Sequence, residues 1–132
     1  MSPYIGRSKN IKLPFVTSYK DPVYDMRDID GDGAPDGMTV DSEGYVWSAL
    51  WGGSGVIKID PDAKVVDKID VDAYQTSSCM FGGKDLSDLY ITSAATPDAL
   101  ANVKSGTYLG GSLFKAETKS VGKVEFETNF EF

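Results

Sequence analysis

The chain alternates between apolar and polar residues with a period of two, the spacing of side chains on the two faces of a β-strand. Glycine, proline and aspartate interrupt the alternation and supply turns. One predicted strand, Tyr45-Val46-Trp47-Ser48-Ala49-Leu50-Trp51, is identified instead by its aromatic and branched residues, and Gly52 and Gly53 close it. The pattern predicts a first group of four short antiparallel strands, at residues 38–40, 45–51, 55–60 and 64–71.

A second group of strands repeats the first about 42 residues further along the chain. Its four predicted strands occupy residues 78–83, 88–94, 112–116 and 123–127. A repeat of this length is typical of four-stranded propeller blades. It also fits a small β-sandwich of two four-stranded sheets, and periodicity alone does not separate these two folds.

Composition limits the partners of the chain. It has 132 residues, a formal charge of -7 and a pI near 4.4. This negative charge would repel nucleic acid, because binding to phosphates requires a basic surface. No stretch reaches the roughly 18–20 apolar residues of a membrane span, and the N-terminus lacks the apolar core of a signal peptide. We therefore expect a cytoplasmic protein that binds neither nucleic acid nor membrane.

The reactive side chains limit the chemistry further. Cys79 is the only cysteine, so no disulfide can form within the chain, and a buried, inert thiol is the simplest interpretation. Histidine is absent. A Ser-His-Asp or Cys-His site within one chain is therefore excluded, and a metal would depend on oxygen ligands.

Aspartates are concentrated in residues 28–41, a stretch that leads into and includes the first predicted strand. Three interpretations of this acidic stretch stay open. Asp28, Asp30 and Asp32 have the spacing of an EF-hand calcium loop, but Thr39 stands where that loop requires a bidentate glutamate. The stretch could equally be a solvated acidic turn. In the third interpretation, Asp36 shares one metal site with Asp30 or Asp32.

Several motifs resemble the gluconolactonase/regucalcin (senescence-marker-protein) family of six-bladed β-propellers. The match begins at Pro35-Asp36-Gly37-Met38-Thr39-Val40-Asp41 and runs over about 80 residues in the order and spacing of the family. It continues through Glu43-Gly44, Val46-Trp47, Ala49, Gly52-Gly53, residues 56–61, 76–83 and 89–94, and Gly110-Gly111-Ser112-Leu113-Phe114. It covers only the C-terminal part of the family chain, roughly its last two blades.

The resemblance implies an all-β fold of two four-stranded antiparallel propeller-like blades, a partial β-propeller in one domain. Residues 1–27 would form an N-terminal extended arm, in which Pro14 limits residues 11–17 to an edge strand. The first blade would cover residues 28–73 and include the acidic entrance loop. The second would cover residues 74–132, with a loop insertion at 95–110 in which residues 97–103 suit a helical turn.

The resemblance also implies a site. The family holds one divalent cation in its central channel and hydrolyses small lactones. Asp36 matches the aspartate that ligates this metal and acts as, or orients, the general base. We expect calcium first, with zinc, manganese or magnesium as alternatives, and Asp30 and Asp32 as candidate further ligands. Ser78 and Cys79 match positions that face the channel, and Trp51 could stack on a sugar ring or pack in the core.

The missing blades lead to two functional hypotheses. In the first, the chain is a truncated relative of divalent-metal-dependent lactone hydrolases that is weakly active or inactive alone. In the second, it is a non-catalytic oligomeric β-module that binds calcium, a protein or a small molecule. Because isolated blades expose apolar faces, we expect self-association as a dimer or trimer in either case, with a small lactone as the ligand of the enzyme form.

Overall fold

A computed structural model of the chain describes residues 33–97 and 109–127. The predicted arm at residues 1–27, Asp30 and Asp32 of the acidic loop, and most of the 95–110 insertion lie outside the described residues. Among the described residues, no helix is long and apolar enough to cross a bilayer.

The described chain contains seven β-strands, in two consecutive antiparallel meanders. The first unit comprises four strands: β1 (Ala34–Val40), β2 (Val46–Trp51), β3 (Gly55–Ile59) and β4 (Val65–Asp70). The second unit comprises three: β5 (Gln75–Gly82), β6 (Asp88–Ala94) and β7 (Leu113–Glu117). Seven of the eight strands predicted from alternation are therefore present, with ends that shift by a few residues.

The eighth predicted strand is wrong. Residues 123–127 alternate in sequence but lie outside any strand and are exposed. Phe126, for example, is 95% exposed. The chain turns away from β7 before it reaches this segment, because the backbone N–H of Gly122 donates to the Leu86 carbonyl at 2.8 Å. Asp41 and Gly122 also form an isolated bridge.

The core lies between the two units. Trp47, Ala49 and Val56 from the first unit pack against Cys79, Phe81, Leu89 and Ile91 from the second. The rings of Trp47 and Phe81 meet edge to face, with centroids 5.5 Å apart. These residues share one face of their strands, so alternation alone directs them into the same interface. The opposite face of β2 and β3 carries a second buried cluster, made of Leu50, Ile57 and Ile59.

Thr76 ties the two units together through one buried hydroxyl. Its Oγ1 atom lies 2.7 Å from the carbonyl oxygens of both Leu50 and Gly55, to which it can donate. The same atom accepts hydrogen bonds from the backbone N–H groups of Leu50 and Gly55, at 3.2 and 3.3 Å. Thr76 thus closes the β2–β3 turn from the first strand of the second unit. Trp51 and Gln75 extend this link by pairing β2 with β5.

Candidate functional site

Asp36 lies on a β-bulge near the start of β1. Pro35 pairs with Leu50 and Met38 pairs with Ser48, so Asp36 and Gly37 together oppose a single residue of β2. A bulge of this kind bends the strand and re-aims a side chain. The Asp36 side chain is exposed, and none of the described residues gives it a hydrogen bond or an ion pair. Its carboxylate is therefore available to a ligand.

A second bulge, in β5, lies directly against the first. Thr76 pairs with Ser93 and Ser78 pairs with Thr92, which leaves Ser77 as the extra residue. The two strands approach so closely that a Cβ atom on Gly37 would lie 2.6 Å from the Ser78 Cβ and 2.8 Å from the Ser77 carbonyl oxygen. Only glycine fits at position 37 without a shift of one strand. The bulges thereby bring Asp36 next to the hydroxyl-bearing segment of β5.

Hydroxyl groups line the exposed side of this contact. The Ser77 and Thr92 side-chain oxygens are 2.8 Å apart and hydrogen-bonded, and Thr92 Oγ1 lies 3.5 Å from the Ser78 carbonyl. Ser78 itself is exposed. The structure thus brings Asp36 and Ser78, both singled out from the sequence, to neighbouring strands. Hydroxyls of this kind can both donate to and accept from a polar ligand.

Trp51 and Cys79, the other two residues predicted to line a pocket, differ in accessibility. Trp51 ends β2 opposite Ala34 and is 38% exposed, so its ring is open to contact. Cys79 is 3% exposed and lies in the core between the units. Its thiol donates to the Trp47 carbonyl at 3.3 Å, and burial raises the pKa of the thiol to about 11. The structure therefore places Cys79 inside the protein and Ser78 at its surface.

The described residues do not complete a metal site. They contain no group of three or more cysteine, aspartate or glutamate side chains able to hold a metal ion. Asp36 offers one carboxylate, whereas calcium takes six to eight oxygen ligands. The oxygen donor is of the right chemical class, but the ligand set is incomplete in this part of the chain. The predicted ligands Asp30 and Asp32 lie outside the described residues.

Asp41, which is not among the site residues predicted from the sequence, is a buried carboxylate with several partners. It follows β1, is 2% exposed and accepts 3.0 Å hydrogen bonds from the indole Nε1–H of Trp47 and from the backbone N–H groups of Glu43 and Tyr45. The Nζ atom of Lys58 lies 3.8 Å from its Oδ2 atom. Burial acts to raise the pKa of Asp41, but these hydrogen bonds and the lysine charge outweigh it, so the pKa is lowered.

Lys58 extends this network across the molecule. Its ammonium group lies 4.1 Å from the centroid of the Tyr45 ring and donates a 2.8 Å hydrogen bond to Ser120 Oγ. Ser120 belongs to the segment that follows β7, so the network joins the first unit to the end of the second. We assign it a structural role, since all its charged groups are satisfied within the protein. Asp41 and Asp60 each accept hydrogen bonds from the backbone N–H groups two and four residues ahead, so both aspartates open turns of the same form. An aspartate directly after a predicted strand was therefore the sequence feature that could have pointed to Asp41.

Comparison with known proteins places this geometry in a family. The family model described as "SMP-30/Gluconolactonase/LRE-like region" matches residues 15–95, more than half of the chain. The chain belongs to the SMP-30/gluconolactonase family. The pentonolactonase XacC of Haloferax volcanii is 38% identical over 100 residues, which cover 74% of this chain and 34% of that protein.

Solved structures agree with the family assignment. The luciferin-regenerating enzyme superposes with a TM-score of 0.69 at 28% identity, over 80% of this chain and 35% of that one. The calcium-binding protein regucalcin of Agrobacterium tumefaciens gives a TM-score of 0.66 at 29% identity, over 83% of this chain and 36% of that one. The predicted all-β partial propeller is confirmed. The chain spans about a third of the length of the relatives it matches.

Proposed function

We propose that this chain supplies one part of a divalent-metal-dependent lactone-hydrolysing site and is weakly active or inactive alone. The observation that carries the proposal is the position of Asp36. Its carboxylate is exposed and has no partner among the described residues, and it stands on a bulge beside the hydroxyls of β5. Bulges are over-represented next to active sites, where they re-aim a side chain.

The proposed reaction is the addition of water to the carbonyl carbon of a small lactone. In it, Asp36 accepts a proton from the attacking water, the ring C–O bond breaks, and the proton passes from Asp36 to the leaving ring oxygen to give a hydroxy acid. Ser78 and Thr92 would hydrogen-bond to the polar groups of the lactone. Trp51 would offer an exposed aromatic face to an apolar part of the same ligand.

A bound divalent cation would polarise the lactone carbonyl and acidify water. Calcium is our first candidate, because the similar regucalcin is described as a calcium-binding protein. Zinc, manganese and magnesium are the alternatives. Since the described residues offer a single suitable carboxylate, the other ligands must come from Asp30 and Asp32, from a second copy, or from a separate part of the propeller. The incomplete ligand set is why we propose weak activity.

The incomplete set of metal ligands also supports a second function. With no group of three metal-binding side chains among residues 33–97 and 109–127, the chain suits a non-catalytic β-module as well. Such a module would keep the rigid blades and the exposed hydroxyls, and it would bind calcium, a protein or a small molecule without turnover. The two functions differ in whether Asp36 contributes to a reaction.

Lactone hydrolysis, followed with each of the four metals, tests the proposal. We expect slow metal-dependent turnover that falls by at least about tenfold in Asp36→Ala, the effect expected when a general base is removed. Asp62→Ala, which removes an exposed carboxylate on the distant β3–β4 turn, is the matched control and should retain the wild-type rate. Turnover that is equal in Asp36→Ala and wild type would exclude a catalytic Asp36. Complete absence of turnover would favour the non-catalytic module.

A further inference from the structure

Among residues 33–97 and 109–127, no strand pairs with the outer edge of β7. Its counterpart in the first unit is β3, whose outer edge pairs with β4 from Gly55 to Ile59. In the second unit, β7 pairs with β6 on one side, and no described strand lies on the other. The segment expected to fill this position turns away, because the Ser42 N–H donates to the Val121 carbonyl at 2.8 Å.

An open edge of this kind can accept another strand. Its outward backbone N–H and C=O groups are spaced as in a β-sheet and can form hydrogen bonds with another extended strand. Leu113 adds to this tendency, because its side chain is 65% exposed. Natural proteins usually protect such edges with charges or prolines. This edge has no proline, but it carries one charge of each sign, on Lys115 and Glu117, which disfavour pairing with a strand that does not match them.

The two charges make the edge complementary to itself. Lys115 and Glu117 are two residues apart, so both side chains project from the same face of β7. If two copies of β7 pair antiparallel about Ala116, Lys115 of each copy lies directly opposite Glu117 of the other. Pairing about Lys115 would instead place two lysines opposite each other, which is unfavourable. The charges therefore favour pairing about Ala116 over pairing about Lys115.

We propose that β7 is a homodimer interface, in which two copies of this chain pair antiparallel about Ala116. The contact is isologous, as a two-fold axis requires, and joins the second units of the two copies into one continuous sheet. It forms two Lys115–Glu117 pairs and covers the exposed edge. A five-residue edge is a small interface, so the dimer is in equilibrium with monomer at accessible concentrations.

Sedimentation equilibrium on the full chain tests this proposal, over a range from about 1 μM to about 1 mM. We expect monomer–dimer behaviour for the wild type. Glu117→Lys turns both attractive pairs into lysine–lysine contacts and should weaken dimerisation by about tenfold, since cross-strand charge pairs contribute roughly 0.2–1 kcal/mol each. Asp62→Lys makes the same change of charge on the exposed β3–β4 turn and should leave the dimer unchanged.

A mixing experiment separates the interface from effects on folding. Lys115→Glu alone should also weaken self-association, because it turns both attractive pairs into glutamate–glutamate contacts. When the two variants are mixed, both charge pairs re-form between unlike chains, so a heterodimer of wild-type strength is expected. A monomer at every concentration, a trimer, or a Glu117→Lys dimer as tight as the wild type would overturn the proposal. Failure of the mixture to associate would overturn it as well.

Discussion

The indole Nε1–H of Trp47 donates a 3.0 Å hydrogen bond to Asp41 Oδ2, inside the contact between the two blades. The same carboxylate follows β1, accepts two backbone hydrogen bonds in the next turn and lies 3.8 Å from Lys58 Nζ. One side chain thus sets the position of a core aromatic ring, a turn and a partly buried cation. Because a buried carboxylate is costly unless it is fully paired, these partners are needed together.

Replacing Asp41 by asparagine should destabilise the chain by about 2–4 kcal/mol, because Lys58 loses its counter-charge and Trp47 loses a charge-assisted hydrogen bond. Urea denaturation would measure this loss. Asp60 provides the matched control, since it accepts hydrogen bonds from the backbone N–H groups two and four residues ahead, as Asp41 does, but lies on an exposed turn. Asp60→Asn should cost less than about 1 kcal/mol. Equal losses in the two variants would show that the turn alone, and not the buried network, determines the effect.

The lowered pKa of Asp41 predicts how stability depends on pH. A group with a lowered pKa in the folded state stabilises the protein fully above its unfolded value, here 3.8, and this contribution is lost as pH falls towards the folded value. The stability difference between wild type and Asp41→Asn should therefore be constant near neutral pH and shrink below about pH 4. Unfolding curves of both proteins at a series of pH values would measure this difference. A difference that is independent of pH down to the acid transition would contradict the assignment.

The close contact of Gly37 with Ser78 predicts a coupled pair of substitutions. Gly37→Ala should cost about 1–3 kcal/mol, because the added methyl group collides with the Ser78 side chain. Ser78→Gly removes the colliding side-chain atoms but leaves the Ser77 carbonyl oxygen in place, so the double variant should recover part of this loss. A double-mutant cycle measured by urea denaturation should give a coupling of at least about 0.5 kcal/mol. Strictly additive effects would mean that the two bulges do not meet in solution.

Alternation suits strands such as β5 and β6, in which buried and more exposed residues largely alternate. By contrast, β2 and β3 are buried on both faces. Alternation failed at residues 123–127, where the apolar residues also alternate. A strand requires a neighbouring strand to pair with, and not only alternating apolar and polar residues. Here the hydrogen bond from the Gly122 N–H to the Leu86 carbonyl directs the chain away from β7. This bond joins residues far apart in sequence, so no local pattern could reveal it.

The candidate site was predicted in part. Motif resemblance located Asp36 and Ser78, which the fold brings to adjacent bulges. It also grouped Ser78 with Cys79, although successive residues of a strand point to opposite faces and only one of them can face a ligand. The pairing of Asp41 with Lys58 depends on the register of β3 against β2, which the sequence does not specify.

Calcium titration of the wild type and of Asp36→Asn by isothermal calorimetry tests the central claim most directly. The asparagine variant keeps the shape of the side chain but removes its charge, and Asp62→Asn serves as the control at an exposed carboxylate. We predict weak binding by the wild type, with a dissociation constant on the order of 0.1–1 mM, as expected for a site with few charged ligands. Binding should be lost in Asp36→Asn and retained in Asp62→Asn. Calcium binding that is unchanged in Asp36→Asn would contradict the claim that Asp36 is the metal-ligating residue of this chain.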